Sequence, residues 1–120
     1  MTFERFEVVV VPFPFADRVA ARRRPALVVS TPQSLGCSIG HSVLAMITSA
    51  DNPPWPLDVP ITNLEAAGLS HPSVVRMKLF TLDERLVLRA AGSLMPQDAG
   101  RVTEALAELL GIASWSRRDG

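Results

Sequence analysis

The feature that most constrains this chain is the run Phe6-Glu7-Val8-Val9-Val10-Val11, followed at once by Pro12-Phe13-Pro14-Phe15. Consecutive β-branched residues stiffen the backbone into an extended form and leave no polar face for water. The run therefore predicts a strand covered on both sides, or lying at a dimer seam. The prolines then withdraw two backbone donors from any ladder, so the strand is expected to end there or to run along an edge. Alternation puts the two prolines on one side and Phe13 and Phe15 on the other, toward a core. At 120 residues there is room for one domain around such a strand and no second core.

Further strands are predicted at Pro25–Ser30, His41–Thr48 and Ser73–Phe80, with another at Leu86–Leu94 after a turn at Asp83-Glu84 and a short edge strand at Leu57–Ile61. Residues 16–24 read as an exposed basic loop, Thr31–Gly40 as Gly/Ser/Pro punctuation, and Asp51–Pro56 as a semi-rigid loop with three prolines. Asn63–Gly68 reads as a helical turn closed by glycine. One segment has clear helical spacing: Ala99, Val102, Leu106, Leu109 and Leu110 recur at three- and four-residue steps, with Pro96 early and Gly111 just beyond. The expectation is a mainly β chain with a C-terminal helix, forming a small, strongly curved barrel over residues 1–113, with a frayed tail at 114–120.

Composition narrows the function. Twelve Lys+Arg balance twelve Asp+Glu, so any polyanion site must be local. One cysteine excludes an intrachain disulfide framework and a four-thiolate zinc site. No apolar run approaches the ~18–20 residues of a membrane span, and no secretory signal is read at the N-terminus, so the cytoplasm is the expected compartment. Phosphate-loop, dinucleotide and His-Glu-x-x-His signatures are absent. His41 and His71 are too few and too far apart in sequence for a metal centre. Cys37 as a nucleophile would need one of them as a partner.

The uneven feature is arginine. Eleven of the twelve cations are arginine, and Arg18, Arg22, Arg23 and Arg24 fall within seven positions. A guanidinium forks onto phosphate oxygens and keeps its charge at neutral pH, so a local anion site is expected there. Arg24 stands apart because Pro25 restricts its backbone to extended geometry at the mouth of a strand. Trp55, set between prolines, is a candidate stacking surface for a base or a contact for a protein partner.

Taken in order, Val8–Phe15 with Asp17, Arg24-Pro-Ala-Leu-Val-Val-Ser30, Ile47-Thr48, Gly68-Leu69 with Pro72-Ser-Val-Val-Arg76, and Leu79-Phe-Thr-Leu-Asp83 resemble the PemK/MazF family of toxin endoribonucleases. The branch is the one whose first strand ends in Pro-Phe-Pro-Phe. The resemblance implies an SH3-like barrel of the CcdB/PemK/MazF type, usually a homodimer, that cuts single-stranded mRNA at short sequences through the 2′-hydroxyl. It implies no metal or cofactor, arrest of growth, and a cognate antitoxin as partner. The family arginine maps onto Arg24 and the catalytic threonine onto Thr48. Arg76 aligns with a family arginine as a second phosphate ligand, with Arg22, Arg23, Lys78 and Trp55 as further RNA contacts. The alternative for Arg76 is an ion pair with Asp83 or Glu84.

Two departures matter. Phe6-Glu7 stands where many members carry Gly-Asp, and Lys78 stands where several carry an Asp thought to act as base. Asp17 is then the nearest acid to activate the 2′-hydroxyl, with Arg76 or a histidine sharing the proton traffic. The missing acid also keeps open a non-catalytic module on the same fold, either a gyrase-binding toxin of CcdB type or a degenerate member that binds only antitoxin.

Overall fold

The computed structural model describes residues 2–13 and 22–112. Six strands, β1 (Glu7–Phe13), β2 (Arg22–Val28), β3 (His41–Ser49), β4 (Val59–Pro60), β5 (Ser73–Asp83) and β6 (Arg89–Ser93), form one antiparallel sheet in the order β4-β5-β3-β2-β1-β6. Three helices accompany it: α1 (Cys37–Ile39), α2 (Leu64–Ala67) and α3 (Pro96–Leu110). The tail at 114–120, and the expected core residue Phe15, lie outside the described residues.

Both faces of β1 are covered, as four valines in a row require. Val8 packs with Leu27, Ala45, Ile47 and Val75 beneath Val102, Ala105 and Leu106 of α3. Val9 and Val11 join Ala26, Val28, Leu44 and Leu82 on the opposite face, with Phe3, Phe80 and Val87 against them. Bulges between Val8 and Val9 on the β6 side, and between Ala45 and Met46 on the β5 side, bend the sheet. The result is a curled half-barrel. Among the described residues no ladder joins the edge strands β4 and β6; α3 packs against β4 and α2 against β6 instead.

The fully buried Asp98 fixes α3 in place. Its carboxylate accepts from the backbone N–H of Thr62 at 3.0 Å and of Asn63 at 3.2 Å, and from the Thr62 hydroxyl at 2.8 Å, and it pairs with Arg101. Four donors on one buried carboxylate tie the first turn of α3 to the connection between β4 and α2. Among the described residues no helix is long and apolar enough to cross a membrane.

Three local expectations need correction. Arg22, Arg23 and Arg24 are strand, not loop: they continue β2 and pair with Phe13, Pro12 and Val11. The ladder begun at Val8 and Leu27 carries outward because arginine stems can lie along a sheet while their heads stay in water. Thr31–Gly40 contains a π-helical turn at Pro32–Gly36 followed by α1, closed by Gly40 at φ 70°. Finally, β5 runs on to Asp83 and a 3-10 turn at Glu84–Leu86 delays the last strand to Arg89. Asp83 caps that turn by accepting from the Arg85 N–H at 2.9 Å.

Candidate functional site

At one end of the sheet, β2, β3, β5 and β6 and the connection after α2 enclose an open groove of about 530 Å³. Arg22, Arg23, Arg24, Thr48, His71 and Arg89 line it, and among the described residues no carboxylate does. Among the described residues no hydrogen bond or ion pair engages the guanidinium of Arg22, Arg23, Arg24 or Arg89. Three of the described acids lie elsewhere, each on another arginine. Asp58 is with Arg76, Asp83 with Arg85 and Asp98 with Arg101, so a neutral chain carries a strongly cationic groove.

Arg24 and Thr48 come to the groove from the neighbouring strands β2 and β3. Ala26, Leu27 and Val28 face Met46, Ala45 and Leu44. The ladder stops at Ala26–Met46, and beyond it Arg24 on β2 and Thr48 on β3 both line the groove. Arg24 pairs with Val11 of β1, and Thr48 with Val74 of β5. Alternation gives Arg24 and Thr48 one face and gives Arg23, Pro25 and Ser49 the other. A row, Pro25–Val10–Arg89, runs from β2 through β1 to β6. All three of its residues line the groove.

Thr48 is oriented. Its Oγ1 accepts from Asn52 Nδ2 at 2.6 Å, which leaves the hydroxyl hydrogen available to an outside acceptor such as a phosphate oxygen. Asn52 is held in turn, its N–H donating to the Ser49 carbonyl at 3.1 Å. Asn52 escaped the sequence reading because it sits in the proline-rich loop, where no periodicity marks it.

The far wall holds two more residues that the sequence reading did not assign to the site. Gly68 ends α2 at φ 75°, and a Cβ there would collide with the Ala91 carbonyl, so only glycine lets the loop lie this close to β6. Gly92 makes the matching approach to the Ala66 carbonyl. This contact holds the loop carrying His71 beside Arg89. Proline follows His71 as it follows Arg24, restricting the backbone in the same way. The Pro72 carbonyl accepts from the Ala50 N–H at 3.0 Å and the His71 carbonyl from Ser73 Oγ at 2.8 Å. The His-Pro pair was a usable signal for His71. Nothing local marks Arg89, which reaches the groove through the pairing of β1 with β6.

The other expected residues gather outside the groove. Arg76 donates through Nε and Nη2 to Asp58 at 3.2 and 3.0 Å, and through Nη2 to the Pro53 carbonyl at 3.0 Å. Its guanidinium lies 4.8 Å from the Trp55 ring centroid, and the Lys78 ammonium lies 5.8 Å from it. Arg76 is thus spent on Asp58, not on Asp83 or Glu84, and it steadies the half-exposed Trp55 where a second free phosphate ligand was expected. Burial alone would raise the Asp58 pKa, but hydrogen bonds from Arg76 and the Trp55 N–H, with the Arg76 charge, hold it below its ordinary value. Asp17 lies outside the described residues. Among the described residues, no group of three or more His, Cys, Asp or Glu could hold a metal. Cys37 is exposed on α1 and does not line the groove.

A curled half-barrel with a C-terminal helix is the fold of several solved structures. An endoribonuclease in complex with its cognate antitoxin from Mycobacterial species superposes at TM-score 0.73, with 18% identity over 92% of this chain and 97% of that one. MazF from Deinococcus radiodurans gives 0.70 at 23% identity over 92% and 98%. Mycobacterium tuberculosis toxin MazF-mt6 gives 0.69 at 19% over 88% and 97%. No curated protein matches the chain. The model of the PemK-like, MazF-like toxins of type II toxin-antitoxin systems matches residues 4–110. The chain belongs to this family and is a toxin of a type II toxin-antitoxin system.

Proposed function

We propose that the protein is an endoribonuclease that cleaves single-stranded mRNA without a metal, thereby arresting growth. One observation carries this reading: Arg22, Arg23, Arg24 and Arg89, with no carboxylate among the described residues of their groove, line it together with an oriented threonine. RNA brings its own nucleophile in the 2′-hydroxyl. The protein need only hold the backbone, stabilise the charge of the phosphorane and move two protons. Arg24 neutralises the non-bridging oxygens, Thr48 donates to one of them, and Asp17 takes the 2′ proton. Arg22, Arg23 and Arg89 bind flanking phosphates. Trp55, braced by Arg76 and Lys78, offers its exposed face to a base.

The natural partners are single-stranded RNA, a cognate antitoxin and a second copy of this chain, in the cytoplasm where mRNA is translated. The antitoxin has support from relatives of the same fold, among them MazE-MazF from Deinococcus radiodurans.

Incubation of the purified protein with a long single-stranded RNA in excess chelator tests the reading. Discrete fragments ending in 2′,3′-cyclic phosphate and 5′-hydroxyl are expected. Binding without fragments would replace it with the non-catalytic module.

A further inference from the structure

We propose that His71 protonates the departing 5′ oxygen in this reaction, an inference that rests on the ribonuclease reading above. The groove supplies the reason by elimination. Its guanidiniums do not give up a proton near neutral pH, and the hydroxyls of Thr48, Ser49, Ser70 and Ser73 do not ionise there. Among the described lining residues, His71 is the one side chain able both to carry a proton and to release it. The reaction needs a proton donor at the leaving oxygen as well as an acceptor for the 2′ proton. His71 stands on the α2–β5 connection and lines the same groove as Arg24 of β2 and Thr48 of β3.

The position is also built. Pro72 restricts the His71 backbone, Ser73 closes its carbonyl at 2.8 Å, Ala50 pins the next residue's carbonyl at 3.0 Å, and Gly68 seats the loop on Ala91. His71 is exposed, and a backbone fixed in this way lowers the entropy lost when its ring engages a bound strand. Among the described residues, the charged groups that share the groove with it are Arg22, Arg23 and Arg24 from β2 and Arg89 from β6. A bound phosphodiester would sit between those cations and the ring. The O2′–P bond forms as the P–O5′ bond breaks. The 2′ proton passes to the base, the imidazolium proton passes to O5′, and the products are a 2′,3′-cyclic phosphate and a 5′-hydroxyl. No oxidant or further reactant enters.

The test uses leaving-group chemistry. The wild-type cleavage site is first mapped on a long RNA. Two oligomers carrying it are then made, one natural and one with sulfur in place of the bridging 5′ oxygen. A thiolate leaves without a proton, whereas an alkoxide does not. His71→Ala and His71→Asn should cut the natural oligomer about 100-fold or more slowly, a typical loss for a general acid. Both should cut the sulfur oligomer at close to the wild-type rate. Arg24→Ala should be slow on both. Equal slowing of both oligomers by the His71 variants, or undiminished cleavage of the natural one, overturns the assignment while the ribonuclease reading stands. If the wild type cuts neither oligomer nor the long RNA, that reading falls and this one with it.

Discussion

Two groups of arginines in this molecule are chemically identical and put to opposite uses. Arg76 has Asp58 on one side, the Pro53 carbonyl on another and the Trp55 ring against its face, with 11% of its side chain exposed. Arg22, Arg23, Arg24 and Arg89 border a groove with no acid among its described residues. The first arrangement fixes a loop to a strand; the second stores unsatisfied positive charge where a polyanion can reach it. What a guanidinium does here is decided by which acids the fold brings near it. In a chain of zero net charge, that segregation creates the site.

The contrast can be broken at either end. The largest effect is expected for Arg24→Ala, which should lower cleavage by about 10²–10³-fold, as for removal of one preorganised transition-state donor, with no change in thermal midpoint. Next comes Asp58→Ala. It strands the Arg76 charge and should cost about 2 kcal/mol in urea unfolding while leaving cleavage far less affected than Arg24→Ala does.

The sign of the Asp58 pH dependence follows from its depressed pKa. Its contribution is complete above the unfolded carboxylate value, about pH 4, and is lost as pH falls through the lower folded value. The stability difference between wild type and Asp58→Asn should therefore shrink on acidification. A difference that grows would contradict the pairing.

Gly68→Ala should destabilise by about 1–2 kcal/mol from its left-handed backbone alone, and by more from the collision with Ala91. It should also slow cleavage by displacing the His71 loop, measured at a temperature where the variant stays folded. The smallest effect sharpens the comparison. Arg89→Gln should reduce the salt dependence of RNA affinity by about 0.7 in the log–log slope, the share of one phosphate contact on a single strand. Arg76→Gln should leave that slope unchanged.

Much of the fold was legible because its signals are local. The valine run names a strand covered on both faces, and the three- and four-residue spacing from Ala99 to Leu110 names α3 with its glycine stop. The extension of β2 through Arg22–Arg24 was not legible, since charge interrupts the apolar pattern and the pairing partners lie beyond the hairpin. In the site, Arg24 and Thr48 were reached through family resemblance, and the adjacency of β2 and β3 brings both to one groove. The Arg76 partner was misassigned for a topological reason. Asp83 and Glu84 are nearer in sequence, but the β4–β5 pairing delivers Asp58 from 18 residues upstream. Arg89 shows the same limit, because only the pairing of Val10 between Pro25 and Arg89 brings it to the groove.

The central claim is about location, and one titration reads it. An uncleavable single-stranded 2′-O-methyl RNA is added to isotope-labelled protein while backbone amide shifts are followed. The account predicts that the largest changes fall at Arg22–Arg24, Thr48, His71 and Arg89, with α3 and Asp83–Leu86 silent. Shifts centred on those latter segments, with the groove unmoved, would contradict it.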